Sequence, residues 1–204
     1  MRITGTFRDG YVPDSSSPQP SSNVVELFGG DKHIVRILNS SGKPDKYEGT
    51  IAIGASNQSY SGVVVAAHSI DIEPGHTFRF HDMTGKESNL TKFLSVKHGM
   101  ARQNLNIDAA FIPITATDIT MGSKVRAHDG TVTEVIWGRL ADVERLQEIT
   151  IYGWYNNGPG DLMYKNATYI GDGIIFRNVG IGTYPSQGGD SGSAIVYHGG
   201  IRQP

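Results

Sequence analysis

Gly62-Val63-Val64-Val65-Ala66-Ala67-His68-Ser69 contains the longest unbroken apolar run in the chain, Val63 to Ala67, and closes it with a histidine. Three successive valines carry branched side chains that suit a pleated strand and restrict χ1 in a helix. The two alanines that follow leave room at the strand end, so the imidazole of His68 is expected at the mouth of a core. A run this short falls far below the ~20 apolar residues that a bilayer-spanning helix needs. It reads as a buried strand, and the rest of the chain repeats its chemistry.

The 204 residues include 20 Ile, 14 Val and 14 Thr against only 8 Leu and 12 Ala, a balance that favours strands over helices. The 26 glycines and 9 prolines fall between short apolar runs, the punctuation of an all-β sandwich or barrel. Strands are predicted over His33–Leu38, Tyr47–Ala55, Gly62–Ala67, Thr77–His81, Thr91–His98, Ala109–Ile114, Lys124–His128, Thr131–Trp137, Glu148–Trp154, Gly173–Val179 and Ser193–Tyr197. One stretch, Leu140–Gln147, has helical character and is too short to form a layer. Residues 1–23, with the serine- and proline-rich segment Val12–Asn23, read as a flexible extension ahead of the folded body.

Charge excludes several partners. Eighteen Lys and Arg against 20 Asp and Glu leave a formal charge of −2, which supplies no broad basic face for nucleic acid or for an acidic membrane. The absence of cysteine removes disulfides, thiol nucleophiles and cysteine-ligated metals. Asp71, Glu73, His76, His81 and Asp82 cluster in sequence, but their spacing fits no zinc or calcium pattern, and they read as a solvated loop. Tyr152, Trp154 and Tyr155 read as packing aromatics, and His33 and His198 receive no role. No metal or organic cofactor is expected. The opening MRITGTFRDG lacks the apolar core of a secretory signal, which tilts the expectation toward the cytoplasm.

The chemistry concentrates in three strings. In Gln187-Gly188-Gly189-Asp190-Ser191-Gly192-Ser193, a serine sits between glycines in a tight turn ahead of the apolar run Ala194–Tyr197. Serine needs an adjacent base to become a nucleophile, and an acyl-transfer transition state needs N–H donors aimed at its oxyanion. Flanking glycines let the backbone turn those donors toward one point. The strand ending at His68 offers an imidazole. In Asn106-Ile107-Asp108-Ala109-Ala110-Phe111-Ile112, an aspartate opens an otherwise apolar strand and is expected beside a partner. Taken singly, each string also fits a plain role: a turn, a strand-end histidine bonded to backbone, a loop-capping aspartate.

Together, in the order His, Asp, Ser, the strings resemble the trypsin/chymotrypsin-like serine proteases, in their compact cysteine-free bacterial or viral form. Tyr47-Glu48-Gly49-Thr50-Ile51-Ala52-Ile53-Gly54 looks like the strand that precedes the histidine strand in that family. The resemblance runs from about Val24 to Tyr197 and implies two antiparallel six-stranded β-barrels. The first would occupy residues 24–120 with His68 and Asp108, the second 121–204 with Ser191. It implies a serine endopeptidase acting on polypeptides, with Ser191 as nucleophile, His68 as general base and acid, and Asp108 orienting His68. Gly189 and Ser191 would supply the oxyanion-hole N–H groups. Thr183, Pro185, Ser186, Gln187 and Gly188 would wall the substrate pocket. Pro185 stands where an aspartate would select Lys or Arg, so cleavage after basic residues is disfavoured.

Only 13 residues follow Ser191, where the family places further strands, so the second barrel is expected to be incomplete within this chain. A separate C-terminal fragment or a second protomer is then expected to complete it. No activation sequence matching a freed Ile or Val terminus is evident near Val24. Two other readings stay open: a self-processing protease acting on its own chain or polyprotein, and an inactive protease-fold binding module.

Overall fold

The computed structural model describes residues 25–38, 44–56, 60–70, 77–81, 93–95, 100–102, 108–114, 119–136, 138–171 and 174–197. These form strands Val25–Gly29 (β1), Lys32–Leu38 (β2), Pro44–Thr50 (β3), Ile53–Ser56 (β4), Ser61–Val65 (β5), Thr77–His81 (β6), Phe93–Ser95 (β7) and Met100–Arg102 (β8). They continue as Ala109–Pro113 (β9), Ile119–Arg126 (β10), Val132–Glu134 (β11), Glu148–Tyr152 (β12), Asn157–Gly171 (β13), Ile174–Gly182 (β14) and Ala194–Tyr197 (β15). Two single 3₁₀ turns, Ala67–Ser69 and Leu140–Asp142, are the helical pieces among the described residues. The class is all-β, as the β-branched composition implies, and no helix among the described residues is long and apolar enough to cross a membrane.

Two four-stranded sheets, β3-β2-β6-β7 and β4-β5-β9-β8, make up the first half. Leu27, Ile51, Val63, Val65, Ala110 and Ile112 meet in its core and are almost completely removed from solvent. Each of the Leu, Ile and Val side chains among them contributes roughly 1.5–3 kcal/mol by leaving water. The substitution Ile112→Val, which deletes one methylene at a fully buried site, is expected to lower unfolding free energy by about 1 kcal/mol in urea titrations, with the slope unchanged. Strand β1 pairs in parallel with β10, Leu27 beside Met121, and β10 carries β11 on its other edge.

The second half is an open sheet of order β14-β13-β12-β15. Its smaller core comprises Val143, Ile149 and Leu162, with Leu140, Tyr184 and Tyr197 packed against them. Beside this core a cleft of about 760 Å³ opens, lined by Ile53, Val135, Arg139, Leu140 and Ile195 among others, with none of the three chemical side chains in its wall. The sheets do not close into a barrel among the described residues, in keeping with the incomplete second barrel read from the sequence.

Several boundaries differ from expectation. The predicted strand Tyr47–Ala55 is split, because the chain changes sheets at Ile51 and Ala52. Ile51 donates to Asp31 and accepts from Gly30, while Ala52 donates to Val64. The helical stretch Leu140–Gln147 is a correction: it holds one 3₁₀ turn and then runs alongside β13. Leu146, at φ 62°, donates to Leu162 O, and Leu162 donates back to Gln147 O, so tertiary pairing takes the backbone groups that a helix would use. β13 was not expected at all. Its glycines, Pro159 and asparagines read as a loop, yet pairing with β12 on one side and β14 on the other holds it extended, with three register shifts along the β14 side. The extension 1–23 and His198 lie outside the described residues.

Candidate active site

His68 leaves the end of β5 on a 3₁₀ turn in which Ser69 and Ile70 donate to the carbonyls of Ala66 and Ala67. Those alanines are buried, and their small size lets the turn sit directly on the core. β9 pairs antiparallel with β5, Ala110 opposite Val65, and this register brings Asp108, just ahead of β9, alongside the histidine. Asp108 Oδ1 accepts the His68 backbone N–H at 2.8 Å, and its Oδ2 accepts from the ring Nδ1. With Nδ1 carrying the proton, Nε2 is left as an acceptor, and the Ser191 hydroxyl donates to it at 2.8 Å.

Ser191 is presented by the loop between β14 and β15. Register pairs Tyr152 at the end of β12 with Ala194 at the start of β15, which sets the turn at 153–156 against the serine loop. Asp190, 6% exposed, is the hub of this contact. Its Oδ1 accepts from Tyr155 N at 2.9 Å and Asn156 N at 3.2 Å; its Oδ2 accepts from Asn156 Nδ2 at 2.6 Å and Gln187 N at 3.0 Å. Four donors from the described residues satisfy the carboxylate. Gly189 and Gly192 adopt φ of 98° and 92°, a region that side chains rarely enter. A Cβ on Gly192 would also lie 2.4 Å from Thr50 O and 2.9 Å from Ala66 N, so the loop seats on backbone of the first half.

Further contacts tie the halves together. Lys32 Nζ bonds Glu48 Oε2 at 2.5 Å and Tyr155 OH at 3.1 Å, and Tyr155 OH donates to the same carboxylate at 2.7 Å. Partial burial pushes the Lys32 ammonium down, but its bonds to Glu48 and Tyr155 prevail and hold its pKa above the ordinary value. Lys32 also lies 5.4 Å and 5.2 Å from the ring centres of Trp154 and Tyr155, giving those aromatics a structural use. Behind His68, Ser69 Oγ donates to Ala66 O at 2.8 Å, so the buried His33 must supply the proton in its 3.1 Å bond from Nε2 to Ser69 Oγ. His33 Nδ1 is then a bare acceptor with no partner among the described residues.

The structure thus brings His68, Asp108 and Ser191 into one hydrogen-bonded line and places Gly189 two residues before the serine. The predicted pocket residues fall on the strand-free segment between β14 and the serine turn. Thr183 is tied back to β13, its hydroxyl accepting Asp161 N at 2.9 Å. Pro185, Ser186, Gln187 and Gly188 are exposed, and a Cβ on Gly188 would meet nothing within 4 Å, so space is open beside it. Asp71, Glu73, His76 and Asp82 lie outside the described residues, and His81 is described only as part of β6. No group of three metal-ligating side chains occurs among the described residues.

Sequence reasoning missed Thr50, Asn156 and His33. Thr50 lay within a string singled out for its resemblance, but a threonine in a strand carries no chemical signal. Asn156 falls in an apparent loop, and a lone histidine beside a lysine looks solvated.

The fold is that of the chymotrypsin-like serine proteases. Among solved structures, the chain is similar to the Nocardiopsis protease, with 16% identity, a TM-score of 0.61, and coverage of 85% of this chain and 79% of that one. It is similar to the Cellulomonas bogoriensis chymotrypsin at 16% identity and TM-score 0.59, covering 84% and 78%. Thermobifida fusca protease A gives 16%, 0.58, 84% and 78%. No protein-family model matches the chain, and no curated protein sequence does. Structural likeness at this identity shows the architecture alone.

Proposed function

We propose that this chain is a serine endopeptidase that cleaves peptide bonds through an acyl-enzyme at Ser191. The observation that carries the proposal is the use of both His68 ring nitrogens, one toward Asp108 and one toward Ser191. In this reading Ser191 Oγ attacks the scissile carbonyl carbon as its proton passes to His68 Nε2. The N–H groups of Gly189 and Ser191 receive the negative oxygen. The carbon–nitrogen bond then breaks, and His68 returns the proton to the departing amine. Water, deprotonated by the same Nε2, releases the acid and restores the serine.

Asp108 holds the tautomer that makes Nε2 basic. No metal or organic cofactor enters any step. The segment Thr183 to Gly188 would contact the substrate side chain, and the lack of an acidic group there opposes a preference for Lys or Arg.

A fluorophosphonate probe tests this reading, because it phosphonylates only an activated serine. Wild-type protein should be labelled at Ser191, as located by peptide mass analysis, and Ser191→Ala should not be labelled. An unlabelled wild type that is folded by circular dichroism would overturn the proposal in favour of an inactive binding module on the same fold.

A further inference from the structure

Thr50 ends β3 in the first half of the molecule, opposite Lys32 of β2, and is completely buried, yet three of its hydrogen bonds reach across to the second half. Its backbone N–H donates to Ser191 O at 2.9 Å. Its hydroxyl donates to Gly189 O at 2.9 Å and accepts the Trp154 N–H at 3.0 Å. A hydroxyl has one proton, so this pair of bonds has a fixed sense, acceptor from Trp154 and donor to Gly189. The two residues whose carbonyls Thr50 holds are the two whose N–H groups are the proposed oxyanion donors.

Gly188 and Gly189 would otherwise be the freest part of this loop. Asp190 N donates to Gln187 O at 3.1 Å, closing a four-residue turn whose third residue, Gly189, has φ 98°. A turn with glycine at that position tolerates either orientation of its central peptide, and that peptide carries the Gly189 N–H. Fixing the Gly189 carbonyl removes part of this freedom. A Cβ on Gly189 would come within 2.3 Å of the Tyr155 ring, so the glycine is also pressed from the side.

We propose that the Thr50 hydroxyl is a positioning residue for the oxyanion loop, setting Gly189 through its carbonyl without touching substrate. The inference rests on the serine-endopeptidase reading and predicts a loss confined to transition-state stabilisation. Three proteins are compared on the best-cleaved sequence from an internally quenched peptide library: wild type, Thr50→Val and Thr50→Ser. Thr50→Val keeps the shape and the backbone N–H but strands the Gly189 carbonyl and the Trp154 N–H. Its kcat is expected to fall about 10- to 100-fold with KM changed less than about threefold. Thr50→Ser should restore kcat to within about threefold.

A purely structural role would lower the folded fraction, which thermal melts measure, and would leave kcat per folded molecule intact. If Thr50→Val fails to fold, Thr50→Cys replaces it, the thiol filling the site while donating weakly, and the same kcat loss is expected. A Thr50→Val or Thr50→Cys kcat within twofold of wild type overturns the role of Thr50, as does a Thr50→Ser variant no better than Thr50→Val. Lack of fluorophosphonate labelling in wild type strikes the protease reading instead, so the two failures are distinguishable.

Discussion

The variant His68→Ala is expected to lower kcat/KM about 10⁴-fold or more, the loss usual when the base is removed from a Ser-His-Asp site. The reason here is specific. Ser191 Oγ has Nε2 of His68 as its proton acceptor at 2.8 Å, and without it the hydroxyl attacks as a neutral alcohol. Ser191→Ala should be about as damaging, and the double variant no worse than either single one, because the two groups perform one step. Asp108→Asn separates orientation from contact. The amide would donate toward Nδ1, move the ring proton to Nε2 and turn the base away from its task, with an expected loss of about 10⁴-fold. Steady-state kinetics on one quenched peptide measures all four variants. Additive losses in the double variant would show that His68 and Ser191 act separately.

Acid should weaken the fold through His33. This imidazole is fully buried, and burial, opposed by the bond to Ser69 and aided by the nearby His68, lowers its pKa to about 4 from the ordinary value near 6.5. The geometry agrees, since Nδ1 has no hydrogen-bond partner among the described residues to stabilise a proton there. Below about pH 6.5 the unfolded chain binds a proton at this residue that the folded chain does not. Stability from a neutral His33 is therefore complete above that pH and is lost as pH falls toward about 4.

The slope is about 1.4 kcal/mol per pH unit, which amounts to roughly 3 kcal/mol over the interval. Urea titrations at pH 7 and pH 4.5 on wild type and His33→Gln measure it. The carboxylates titrate alike in both proteins, so the difference between their unfolding free energies isolates His33. It should move by roughly 3 kcal/mol in favour of the variant as pH drops. A difference independent of pH would mean that His33 takes up its proton at the same pH in the folded and unfolded chains, and would overturn the prediction.

Much of this was legible in the residues because it is local. Strand chemistry is written in β-branched side chains one residue at a time, and the serine turn in glycines adjacent to Ser191. His68 could be picked out because it ends an apolar run, Asp108 because it begins one. β13 was not legible, since its glycines and Pro159 are turn formers on their own and become strand only between two partners. The helical reading of Leu140–Gln147 failed for the same reason in reverse: local propensity lost to pairing with β13.

By itself, then, the sequence determined the all-β class, the order of the chemical groups and the residue types gathered at the candidate site. The tertiary structure alone decided which residues hold those groups still. Thr50 meets Gly189 across 139 positions, Lys32 meets Tyr155 across 123 and Asn156 meets Asp190 across 34. A hydrogen bond requires about 3 Å and a defined direction, and nothing in the spacing of residues so far apart encodes either. Those quantities come into being only when segments far apart in the sequence pack against each other.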